Sequence, residues 1–133
     1  MITKLLIILG IKKYVTVSEM VEFLSGDALS KYSVLLYKHC ILLDTWESKL
    51  AFAKEECKRS PSSARRGVIT RFRRKVVNLG QARDSAIEEV SKAVFRKLLM
   101  DKGQSPHSTV LKIGRRVATI SILRKALREM YVP

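Results

Sequence analysis

Residues 29 to 57 read LSKYSVLLYKHCILLDTWESKLAFAKEEC, and this stretch carries the most regular apolar pattern in the chain. One set of positions recurs every seven residues, and a second set lies between them at three-four spacing. The first set is Leu29, Leu36, Leu43, Leu50 and Cys57, and the second is Tyr32, His39, Trp46 and Ala53. This spacing predicts one helix of about thirty residues with an apolar seam along it.

The same stretch is apolar beyond its seam. The additional apolar positions are Val34, Leu35, Ile41, Leu42 and Phe52. A helix that is apolar on more than one side is expected to be covered by protein on more than one side. We therefore predict that the Leu29 to Cys57 helix is a packing and assembly element, within a bundle or at an oligomer interface.

The next segment, residues 59 to 75, reads RSPSSARRGVITRFRRK. Ser60 to Ser63 supply a break, with a serine cap and a proline suited to a first helical turn. On a helical wheel the apolar residues that follow fall within a stripe about 100° wide, and basic residues occupy the rest. The stripe comprises Val68, Ile69, Phe72, Val76 and Leu79. The segment is thus predicted to be a basic amphipathic helix.

The remaining chain also has a helical period. The pattern continues to Leu98, either as one helix bent near Gly80 or as a second helix capped by Ser85 and Glu88. A last helix is predicted from about Ser108 to Tyr131.

In the N-terminal part of the chain, Thr16 and Glu19 have capping-box spacing, which predicts a short helix that Gly26 could close. Residues 5 to 11 are apolar but too short to span a membrane, and no cleavage site follows, so we expect a buried N-terminal helix or arm.

These elements predict an all-α fold: a single domain over residues 1–133, built as a bundle of about four helices with one long basic helix or helix-turn-helix arm. Its 133 residues, 47% of them hydrophobic, suffice for a core.

The net charge of the chain is +14. Residues 1–57 contain seven basic and seven acidic residues, whereas residues 58–133 contain nineteen and five. We therefore expect a neutral half for packing and assembly and a basic half for a polyanion.

Signals for catalysis are weak. Of the two histidines, His39 lies on the apolar seam and His107 in a turn, and the six glycines are isolated. No cysteine or histidine pair has metal-ligand spacing. Cys40 and Cys57 would be about 25 Å apart on one helix, so both are interpreted as buried thiols without a disulfide. We expect no enzyme, no cofactor and no metal site.

The basic segment is the candidate site. From Lys58 to Arg83 there are nine basic residues and no acidic one. Solvated charged faces usually mix both signs, and the six arginines against two lysines between Lys58 and Lys75 favour bidentate contacts with phosphates. The candidate nucleic-acid-binding residues are Lys58, Arg59, Arg65, Arg66, Arg71, Arg73, Arg74, Lys75, Arg83, Lys112, Arg115 and Arg116. No base-reading signature is evident, so binding should be indifferent to sequence.

The chain resembles the major capsid proteins of filamentous and rod-shaped viruses of hyperthermophilic archaea, the lipothrixviruses, rudiviruses and tristromaviruses. The shared features are its length, its helical content, its basic helix-turn-helix-like region and its long apolar seams. The resemblance lies in architecture and composition and covers the whole chain. It implies that two copies, or two paralogues, clamp double-stranded DNA in A-form and stack into a helical virion, which some members enclose in a membrane. The scarcity of Asn and Gln, three in all, fits a hyperthermophilic source.

Two other functions fit the same charge distribution. One is a cellular chromatin or nucleoid protein. The other is a basic helical adaptor that binds an acidic protein or an anionic membrane, with Arg65 to Lys75 on the lipid headgroups. Three alternatives stay open at this point: whether the nucleic acid is DNA or RNA, whether the dimer is a homodimer or a heterodimer, and whether the particle has an envelope.

Overall fold

The computed structural model describes residues 13–26 and 29–132, and within them the fold is mostly helical, as predicted. The elements are β1 (Lys13–Tyr14), α1 (Val17–Leu24), α2 (Ser30–Arg59), α3 (Ser63–Asp101), β2 (Val110–Ile113), β3 (Arg116–Thr119) and α4 (Ile120–Tyr131). The four helices confirm the predicted fold class. The predicted N-terminal helix or arm over residues 5 to 11 lies outside the described residues.

The chain divides into two compact units, which are described separately. One unit comprises Met1–Ser33 and Ile87–Pro133, and the other comprises Val34–Ala86. We call the second one the helical hairpin unit and the first one the sheet unit. Each draws residues from both the neutral and the basic half of the sequence.

The sheet unit contains most of the fully buried side chains. Its three strands lie in the order β1-β3-β2, with β1 parallel and β2 antiparallel to β3. Helix α1 packs against α4. The best-buried apolar residues are Met20, Leu24, Ile87, Val94, Leu99, Leu111, Ala118, Leu123, Ala126 and Leu127. This core explains the periodic apolar positions in the C-terminal part of α3.

Helix α1 begins as the sequence predicts. The Thr16 hydroxyl accepts a hydrogen bond from the backbone N–H of Glu19 at 3.2 Å, which satisfies a donor that the first helical turn leaves free. The helix ends at Leu24, and Ser25 caps it, so it ends just before Gly26.

The predicted last helix is wrong in its first half. Residues 110–119 form a β-hairpin, and the helix begins only at Ile120. Ile113 pairs with Arg116 across a two-residue turn of Gly114 and Arg115. Gly114 has a φ of 63° and no other residue of the turn has a positive φ, which matches a type II′ turn with glycine at its first central position.

Gly114→Ala should destabilise the protein by about 1–2 kcal/mol, because an alanine strains the backbone at positive φ although open space surrounds the site. Urea unfolding followed by circular dichroism measures the change. Gly67→Ala is the control, since Gly67 lies inside α3 with open space for a Cβ, and alanine there should stabilise by about 0.5–1 kcal/mol. Equal effects at the two positions would contradict the turn assignment.

A glycine also ends α3. Gly103 has a φ of 68°, and the N–H of Gln104 bonds to the carbonyl of Leu99 at 2.8 Å while that of Gly103 bonds to Met100 at 3.0 Å. This pair of bonds is a Schellman motif. Beyond it, the Gln104 side chain bonds both backbone groups of Lys112, at 2.9 and 3.0 Å, and so covers the outer edge of β2.

The helical hairpin unit consists of the parts of α2 and α3 that flank the break predicted at Ser60 to Ser63. Trp46 of α2 meets Phe72 of α3 edge-on, with ring centroids 5.3 Å apart and planes at 84°. The seam is the covered side of α2: Leu36 and Leu43 are buried, and Leu50 is half-buried. Helix α3 continues through Gly80 without interruption, which settles the choice between one helix and two.

Candidate nucleic-acid interface

The basic segment follows a tight connection between α2 and α3. The Ser62 hydroxyl accepts a hydrogen bond from the backbone N–H of Arg65 at 3.1 Å and thereby caps α3. The guanidinium of Arg65 reaches back to the carbonyl of Ser60 at 2.7 Å, beyond the end of α2 at Arg59. Arg65 therefore has a structural role in the connection, in addition to the phosphate contact predicted for it.

The apolar stripe of α3 lies against the protein, as predicted. Its residues Val68, Ile69, Phe72, Val76 and Leu79 are all half-buried. The basic residues around this stripe are exposed. Arg66, Arg71, Arg73 and Arg74 form no ion pair with any residue that the structure describes. The helix therefore offers four unneutralised guanidinium groups to solvent.

These guanidinium groups lie on both flanks of the helix. At 100° per residue, Arg66 and Arg73 point about 90° to one side of Arg74, and Arg71 points about 60° to the other. The helix therefore has cations on both flanks, with Arg74 between them on its outer side. This arrangement suits a ligand that presents anions on two sides, as the two phosphate strands beside a DNA groove do.

Lys75 and Lys58 have contacts of their own. The Lys75 ammonium lies over the Trp46 ring, 5.5 Å from the ring centroid, and the Lys49 ammonium lies 4.3 Å from the same centroid. Trp46 is thus a packing residue with a cation on its face. Lys58 pairs with Glu55 at 3.6 Å, but both side chains are largely exposed and such a pair contributes little. Lys58 and Arg59 both lie in the last turn of α2, close to the start of α3.

Arg83 differs from the other candidates. Its side chain is only 15% exposed, and one guanidinium nitrogen lies 3.6 Å from Asp84. It also acts on Cys40: burial raises the pKa of the Cys40 thiol, and the positive charge of Arg83 partly opposes that rise. The structure therefore places Arg83 within the helical hairpin unit rather than among its exposed cations. Cys40 and Cys57 are not in a disulfide, and both are half-buried.

The other three candidates belong to the sheet unit. Lys112 and Arg115 are exposed on the β-hairpin, and neither forms an ion pair with a described residue. Arg116 is paired with Glu19, whose other carboxylate oxygen accepts a hydrogen bond from the Thr16 hydroxyl. That ion pair ties β3 to the start of α1, so Arg116 is already neutralised by the fold.

A second group of exposed cations, which the sequence did not predict as binding residues, lies in the part of α3 that belongs to the sheet unit: Lys92, Arg96 and Lys97. The signal for it was the pair Lys92 and Arg96, which are four residues apart and therefore lie on one side of the helix. Acidic residues lie among these cations: Lys92 pairs with Glu89 at 3.7 Å, and Asp101 lines the same shallow recess. This surface is mixed in charge, unlike the segment from Lys58 to Arg83.

Comparison of the chain with protein-family models, with curated proteins and with solved structures found no match in any of the three. Within residues 13–26 and 29–132, no helix is long and apolar enough to cross a membrane, and no group of three or more His, Cys, Asp and Glu residues could hold a metal ion. The function must therefore be argued from the charge and packing of the two units.

Proposed function

We propose that this chain is a structural protein that binds the phosphate backbone of double-stranded DNA without reading its sequence, and that it coats the genome in a helical virion. The observation that carries the proposal is the surface of α3 between Arg65 and Lys75. Four of its arginines are exposed and have no ion-pair partner among the described residues. A surface of this kind repels itself unless an anion neutralises it.

The charge density of this surface is close to that of one strand of its proposed ligand. Residues 65 to 75 contain six basic side chains, and eleven helical residues span roughly 16 Å. The segment therefore carries one positive charge per about 3 Å of helix. Each strand of double-stranded DNA carries one negative charge per about 3.4 Å of the helix axis. The similar spacing supports contacts with successive phosphates.

Stoichiometry supports a coat rather than a protein bound at isolated sites. A net charge of +14 would balance about 14 phosphates, or roughly 7 base pairs per subunit. So short a length per subunit suits continuous coverage of the duplex. The resemblance to the capsid proteins of filamentous archaeal viruses supports the same role.

Binding to two unrelated 30-base-pair duplexes, followed by fluorescence anisotropy over a series of salt concentrations, tests this function. We expect equal affinities and a slope of log affinity against log salt near −5, for five or six phosphate contacts. Asn78 and Gln81 are exposed on the same helix and could read bases. A strong preference for one duplex would therefore contradict backbone binding.

Assembly is tested on long DNA. A coat protein should form filaments that are visible by electron microscopy, resist nuclease and dissolve at high salt. Discrete complexes without filaments would favour a nucleoid protein. Binding to anionic liposomes without binding to DNA would favour the adaptor, and either result would overturn the coat function.

A further inference from the structure

The helical hairpin unit leaves one apolar face of α2 uncovered. Only three apolar residues of this unit are fully buried, Leu36, Leu43 and Ala53, whereas seven large ones are exposed. Six of the seven lie on α2: Val34, Leu35, Tyr37, Ile41, Leu42 and Phe52. The seam that the sequence predicts for assembly is the covered side of the helix, and Trp46 on it contacts Phe72 of α3. The exposed residues lie on a different side of the helix.

The most exposed of these residues form a stripe. Val34 is 75% exposed, Ile41 63% and Phe52 67%, and at 100° per residue they point within about 20° of one another. Thr45 and Ser48, which are exposed near this line, are small and uncharged, and the exposed Lys38 lies about 40° from Val34. We call residues 34 to 52 on this side of α2 the α2 stripe. It has the spacing of a helix-packing surface.

The area of the α2 stripe and its margins is large enough for an interface. Six large side chains, each 40% to 75% exposed, correspond to about 600 Å² of apolar surface, with 150–250 Å² taken for a large side chain. Burial of all six side chains in both copies would remove at most about 1,200 Å² from water, the lower limit of specific interfaces. An exposed patch of about 600 Å² is at the upper end of the largest apolar patch on a typical monomer, and patches of that size are often functional.

Charge indicates that the occupant is a second copy of the chain. Residues 34 to 56 contain three basic and four acidic residues, so two copies can approach here although the whole chain carries +14. Lys38 lies on one flank of the α2 stripe and Asp44 on the other, both exposed and neither in an ion pair with a described residue. A parallel pair of helices brings the basic flank of each copy against the acidic flank of the other.

We propose that the α2 stripe packs in parallel against the same stripe of a second copy, forming a dimer that does not require nucleic acid. This dimer deepens the proposed coat function and rests on it, because a coat needs contacts between subunits. The two claims are nevertheless separable. The dimer is measured without DNA, and the DNA contacts belong to α3.

Sedimentation velocity of nuclease-treated protein at high salt tests the dimer. The wild-type chain should have twice the monomer mass, and Ile41→Asp should raise the dissociation constant by roughly 100-fold or more, because the dimer would bury a carboxylate. Val77→Asp is the control, since Val77 is 56% exposed on α3 and lies outside the α2 stripe. A monomeric wild type, or equal dissociation by both variants, would overturn the proposal.

A charge exchange tests the parallel orientation without burying a charge. Lys38→Glu should weaken the dimer roughly 3-fold to 10-fold, and adding Asp44→Lys should restore it. In an antiparallel pair the basic flanks would face each other, and Lys38→Glu would tighten the dimer, which would overturn the arrangement. Binding of Ile41→Asp to a short duplex then reports on the coat function: retained DNA affinity in a monomer separates the two claims.

Discussion

Replacement of Arg71, Arg73 and Arg74 by Gln should flatten the slope of log affinity for duplex DNA against log salt by about 3, from about −5 to about −2. Each of the three guanidinium groups is exposed and has no acidic partner among the described residues. Each is therefore expected to release close to one counterion when it contacts a phosphate. Fluorescence anisotropy at five or more salt concentrations measures the slope.

The matched control for this variant is Lys92→Gln, Arg96→Gln and Lys97→Gln, which removes the same charge from the mixed surface of α3. We expect its slope to stay within about 1 of the wild-type value. The two triple variants should unfold at nearly the wild-type urea concentration, since all six side chains are exposed. An equal loss of slope in both variants would indicate that net charge alone drives binding, with no special role for the segment from Arg65 to Lys75.

Leu43→Ala should lower the free energy of unfolding by about 2–5 kcal/mol, because Leu43 is only 5% exposed and its removal leaves a cavity at the covered side of α2. Leu50→Ala is the matched control on the same seam. Leu50 is half-buried, so water can reach the truncated site, and we expect a loss of about 1 kcal/mol. Chemical unfolding monitored by circular dichroism gives both values.

If Leu43→Ala costs no more than Leu50→Ala, the seam does not pack as the structure places it. The oligomeric state gives an independent measure. The seam is already covered within the chain, so Leu43→Ala should act on stability first, whereas Ile41→Asp should act on association first. Opposite behaviour of these two variants would mean that the two faces of α2 have exchanged roles.

Local periodicity explains why α2 and α3 could be predicted from the sequence. A seven-residue spacing of leucines specifies a helix and the side that will be buried, whichever element covers it. The break at Ser60 to Ser63 was equally local, because a serine cap and a proline act within one turn. The excess of positive charge after residue 57 is a property of composition and required no structure.

The β-hairpin shows where local periodicity is ambiguous. Val110, Ile113 and Val117 are spaced by three and four residues, which fits one face of a helix. The same segment is rich in β-branched residues and has Gly114 between two apolar runs, which fits a hairpin. Pairing of β3 with β1, just over a hundred residues away in sequence, supports the hairpin, and no local pattern contains that contact.

By itself the sequence determined the helical class, the two amphipathic helices, the connection between them and the concentration of positive charge after Lys58. Tertiary structure alone decided which cations remain available: Arg83 is mostly covered, and Arg116 pairs with Glu19. It also decided that one apolar face of α2 is buried while the stripe of Val34, Ile41 and Phe52 stays exposed. The physical reason is that periodicity depends on neighbours along the chain, whereas burial and ion pairing depend on neighbours in space.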